Sequence, residues 1–72
     1  MISSVIMDQI TNRAKSKQDP QGIDFQEWIK VWFEAADELY DDFMKEGLTS
    51  SAAEVQRAVD FERKLRKILE TF

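Results

Sequence analysis

The chain has no cysteine and no histidine, and only one proline and two glycines among its 72 residues. Without cysteine there is neither a disulfide nor a thiolate metal site, a composition that suits a reducing compartment. Without histidine, general acid–base catalysis and most transition-metal sites lose their usual side chain. No glycine-rich phosphate loop or paired nucleophile and base is discernible, so no enzymatic activity, metal or cofactor is expected. Apolar runs are short, so no membrane span is expected. The opening "MISSVIMDQI" lacks the charged start and long apolar stretch of a signal peptide.

What remains favours helix. Alanine, leucine, glutamate, lysine and arginine are abundant, which points to an all-α chain. A single core of this size stabilises a fold only marginally, so oligomerisation is expected. The net charge of −4 is unevenly spread. Residues 1–20 hold three basic and two acidic groups, residues 24–46 eight acidic and two basic, and residues 54–72 five basic and four acidic. Four of the last five cations crowd into "RKLRK", at Arg63, Lys64, Arg66 and Lys67. Such asymmetry bears on partners more than on fold.

Residues 1–22 read as a marginal, weakly ordered unit. Ile2, Val5, Ile6, Ile10 and Ala14 keep a helical spacing over residues 2–15, but the segment is short, β-branched and uncapped. "KSKQDPQG" then reads as an exposed loop, with Asp19 held out of the α region by Pro20. Residues 23–72 read as a helix-loop-helix hairpin. A helix over residues 24–46 opens on the capping box "DFQE" and stops at Gly47. A second helix over residues 52–70 follows the box "SAAE", with Ser51 as its cap.

At helical spacing, Phe25, Trp28, Ile29, Trp32, Phe33, Ala36, Leu39, Tyr40, Phe43 and Met44 share a face about 160° wide. One thinner helix cannot cover it, so these residues are the expected interface of a homodimer built from two hairpins. Glu34, Asp37, Glu38, Asp41 and Asp42 fall mostly on the opposite side. They lack the alternate spacing and glycine turn of a calcium loop, and read as a solvated acidic face.

The second helix carries two seams. Ala52, Val55 and Val59 suit the aromatic helix, while Ala58, Phe61, Leu65, Ile68 and Phe72 lie roughly 90° further round. Either the later seam closes the dimer and its cations pair with the acidic helix, or Leu65, Ile68, Leu69 and Phe72 dock on a separate protein. Helix-in-groove recognition uses anchors of this spacing. Neither a nucleic acid nor a membrane is an expected partner. Four cations on an acidic chain would bind phosphates weakly, and the basic amphipathic stretch is only about three turns long.

A small, cysteine-free, all-helical, dimer-prone chain with the basic amphipathic ending "LRKILETF" resembles the scaffolding proteins of tailed bacteriophages. It resembles more closely the small internal scaffolds of staphylococcal pathogenicity islands, a capsid morphogenesis family that redirects a helper phage's coat protein into a smaller shell. The resemblance implies a non-enzymatic homodimer whose partner is the phage major coat protein. It would work in the cytoplasm of the bacterial host and transiently inside assembling procapsids. Carried over residue by residue, Leu65, Ile68, Leu69 and Phe72 would be apolar anchors, and Arg63, Lys64, Arg66 and Lys67 would meet acidic groups on the shell's inner wall. The rival reading is a small helical adaptor or anti-repressor that binds a regulatory protein.

Overall fold

The computed structural model describes residues 4–70. Three helices, α1 (Ser4–Lys17), α2 (Phe25–Lys45) and α3 (Thr49–Glu70), are joined by two short connections. No strand occurs among the described residues.

Local chemistry explains most of the boundaries. Lys15 and Lys17 sit in the last turn of α1, where cations favour the negative end of the helix dipole. The exposed loop expected from Lys15 therefore begins only after Lys17. Asp19 is extended, at φ −67° and ψ 119°, as the proline after it requires. Its carboxylate accepts from the Gln21 N–H at 2.9 Å and starts a single 3-10 turn over Pro20–Gly22. Asp24 then caps α2, accepting from the Glu27 N–H at 2.8 Å. The expected box forms on this side, while the Glu27 carboxylate faces Lys30 at 3.4 Å.

At its other end α2 closes with a Schellman motif. The Gly47 N–H donates to the Met44 carbonyl at 3.1 Å, and the Leu48 N–H to the Phe43 carbonyl at 2.8 Å. Gly47 has φ 78°, a conformation that costs glycine little because it has no Cβ. The chain re-enters helix at once. Ala52 donates to the Leu48 carbonyl at 3.0 Å, so Ser51 lies inside the first turn of α3 and is not its cap. Thr49, Ser50 and Ser51 offer three consecutive hydroxyls, and the closure at Gly47 decides where the helix begins.

The core draws on all three helices: Ile6, Ile10 and Ala14 of α1, Trp32, Ala35, Ala36 and Leu39 of α2, and Val55, Ala58 and Val59 of α3. Ala14, Ala35, Ala36 and Ala58 are completely buried, and side chains this small let the helix backbones approach closely. The segment expected to be marginal, residues 1–22, thus supplies Ile6, Ile10 and Ala14 to the core. A short β-branched helix is marginal by itself, but burying isoleucine stabilises by about 1.5–3 kcal/mol per side chain. Packing, not propensity, accounts for α1.

Polar contacts fix α1 against α2. The Trp32 indole N–H donates to the Thr11 hydroxyl at 3.2 Å. Arg13 pairs with Asp42 at 2.6 Å and lies 3.8 Å from Glu38, which also takes Lys17. Two members of the acidic run therefore bind α1, while Glu34, Asp37 and Asp41 remain exposed.

Candidate interaction surface

The two seams of α3 have different fates, except that Ala58, expected in the later seam, is buried with the first. Ala52, Val55, Ala58 and Val59 are buried, and no residue of α3 after Val59 is. Phe61 (47% exposed), Leu65 (37%), Ile68 (53%) and Leu69 (63%) face outward. The last three turns of α3 thus carry an apolar strip that is partly to largely exposed. Phe72, expected to continue it, lies outside the described residues.

The four neighbouring cations divide. Residues 63 and 66 follow Val59 at helical spacing, which turns them toward α2. Arg63 lies over the Phe33 ring at 5.7 Å, and Arg66 over the Phe25 ring at 4.7 Å. Arg66 also faces Glu62 one turn back at 3.5 Å, and its Nε is buried without a hydrogen-bond partner. Lys64 and Lys67 point into solvent. Arg66, half-buried, braces α3 on α2, while Arg63, Lys64 and Lys67 are exposed, Arg63 with its guanidinium over a ring of α2. Arginine near an aromatic ring gains from the ring quadrupole, a pairing that charge counting along the sequence misses.

Because Arg66 stands opposite Phe25 near the start of α2, the last residues of α3 reach the end of that helix and pass it. Two concavities border this region. A cleft of about 210 Å³ lies where the three helices meet, lined by Met7, Thr11, Phe25, Trp28, Trp32 and Arg66 among others. A more open groove of about 420 Å³ runs between α1 and α3, lined by Ser4, Met7, Asp8 and Phe61.

The aromatic face of α2 is partly spent inside the chain. Trp32, Ala36 and Leu39 are in the core, and Trp28, Phe33, Tyr40 and Phe43 pack at its edge, half-buried. Ile29 is also half-buried, while Phe25 is 62% exposed. Val31 and Ala35, outside the expected face, join the packing because α1 approaches from that side. The Arg13 and Lys17 spacing of four residues was the available signal that α1 answers the acidic run.

Among the described residues no group of three or more carboxylates is placed to hold a metal ion. No helix is long and apolar enough to cross a membrane. Protein-family models, curated proteins and solved structures were compared with this chain, and none gives a significant match.

Proposed function

We propose that the chain is a non-enzymatic internal scaffolding protein that docks the end of α3 on a phage coat protein and redirects assembly to a smaller shell. The observation that carries the docking half of this reading is the apolar strip on the last three turns of α3, which gathers four of the exposed large apolar side chains on one helix end. Exposed apolar strips on well-folded helices mark protein contacts more often than accident. The coat protein as partner rests on the resemblance of the chain's ending to the capsid morphogenesis family.

In this reading Leu65, Ile68 and Leu69 are the anchors, with Phe72 next in the same pattern. Lys67 meets carboxylates on the shell's inner wall. Arg63 and Arg66 act from behind, holding the helix end on the ring faces of α2. Two copies joined as a homodimer set the distance and angle between two tails, and that geometry selects shell curvature. Each tail need bind only weakly, because many act together and must later release.

Co-expression with a tailed-phage coat protein, followed by electron microscopy of the shells, tests the reading. Smaller shells are expected with the wild-type chain, and normal shells with an Ile68→Asp, Leu69→Asp variant that keeps its helical circular dichroism. Shells of unchanged size with the wild-type chain, for the coat proteins of helper phages, would sink it.

A further inference from the structure

The homodimer in the reading above needs a surface, and the aromatic face of α2 is a poor provider. Trp32, Ala36 and Leu39 are already buried within one copy. The groove between α1 and α3 is open, mostly apolar and centred on Phe61. One charged residue lines it, and helical spacing sets further charges on α3 beside Phe61. On the α1 side stands Asp8. On the far side, at 100° per residue, Arg57 and Lys64 follow one another two turns apart along α3, flanking Phe61. All three charged groups are exposed, and none takes part in an ion pair among the described residues. Asp60 stands between the two cations, three residues after Arg57 and four before Lys64, and accepts from Gln56 at 3.2 Å, so this side of Phe61 keeps a net excess of one positive charge.

We propose that a second copy of this chain docks on this groove, Phe61 against Phe61, with the two α3 helices side by side and pointing the same way. This rests on the homodimer reading and specifies its interface. Symmetry and charge select the direction. In a two-fold contact with antiparallel helices, each rim meets its own copy, placing Asp8 by Asp8 and Lys64 by Arg57. With parallel helices the rims exchange, and Asp8 of each copy faces Arg57 and Lys64 of the other. The levels agree, because Asp8 shares the groove with Phe61, which lies between residues 57 and 64. Only the parallel arrangement satisfies both rims.

The arrangement also leaves part of each proposed tail usable. Leu69 lies about 80° round α3 from Phe61 and stays outside a contact centred there, whereas Leu65 and Ile68 share the face of Phe61. The two helix ends then emerge on the same side of the dimer.

Sedimentation equilibrium from micromolar to near-millimolar concentration tests this, using the wild type, Phe61→Glu, Asp8→Lys, Lys64→Glu and the double exchange Asp8→Lys with Lys64→Glu. Circular dichroism reports whether each remains helical. Phe61→Glu is expected to be monomeric and folded. Each single charge exchange is expected to weaken the dimer about tenfold, since two exposed pairs per dimer turn from attraction to repulsion, and the double exchange to recover part of that loss, Arg57 being unchanged. A rescue of that kind cannot come from a purely structural role within one copy. A dimer that survives Phe61→Glu, or whose double exchange is no tighter than its single exchanges, overturns this interface and leaves the homodimer reading standing. A wild-type chain that stays monomeric throughout overturns the homodimer reading, and this interface with it.

Discussion

Residues 49–59 of α3 bury Ala52, Val55, Ala58 and Val59, whereas residues 60–70 of the same helix leave Phe61, Leu65, Ile68 and Leu69 in solvent. The helix crosses this boundary without a break. Its first half is held by aliphatic packing against two other helices. Its second half is held from one side only, by Arg63 and Arg66 on the rings of Phe33 and Phe25 and by the Glu62–Arg66 pair. The comparison separates what makes the domain fold from what is left for a partner. Burial stabilises the first half by kilocalories per side chain, while an exposed cation–ring contact contributes about 0.5–1 kcal/mol. The end of α3 is therefore ordered by weak contacts, as binding elements generally are.

The strongest way to break the comparison is to attack the core that the first half packs on. Trp32→Ala removes a ring that is 7% exposed and donates to Thr11, and is expected to cost about 3–5 kcal/mol. Urea denaturation measures it. A loss below about 1 kcal/mol would mean that the ring does not organise the core.

Ile10→Ala comes next, at about 2–5 kcal/mol, because Ile10 is fully buried between α1 and its neighbours. The same prediction extends to amide exchange: residues 6–14 should be protected to the level of residues 32–39 if α1 belongs to the cooperative unit. Fast exchange there together with a silent Ile10→Ala would place α1 outside it.

Arg66→Ala probes the brace. The expected loss is about 0.5–2 kcal/mol, and it should be local. Exchange should quicken over residues 62–68 and stay unchanged over residues 52–59. Equal quickening in both halves would show that the boundary after Val59 has no energetic meaning.

The smallest effect on stability is expected for Ile68→Ser or Leu69→Ser, within about 0.5 kcal/mol, as for exposed positions generally. Their effect on coat binding should instead be large. A melt that falls by many degrees on either substitution would return the strip to the core, and the docking role would have to be given up.

Much of this architecture is legible in the chain, for identifiable reasons. The cap at Asp24, the extended Asp19 before Pro20 and the left-handed Gly47 are local, each decided by a side chain and its nearest backbone groups. The rotation between the two seams of α3 follows from helical periodicity alone. The start of α3 was less legible, since three neighbouring hydroxyl residues present equivalent local signals. The outward strip at Leu65, Ile68 and Leu69 could be anticipated, but the splitting of the four cations could not, because arginine's preference depends on which ring comes opposite.

The sequence by itself determined that the chain is helical, where α2 begins and ends, and that α3 carries more apolar surface than one neighbour covers. These are consequences of local hydrogen bonding and of the 3.6-residue period, which act over a turn or two. Tertiary packing sets the place of α1 in the core, the pairing of Arg13 and Lys17 with Glu38 and Asp42, and the placing of Arg63 and Arg66 over rings of α2 while Lys64 and Lys67 are exposed. Each depends on which residues, twenty or more apart in the chain, are brought within a few ångströms, and no local preference encodes that meeting.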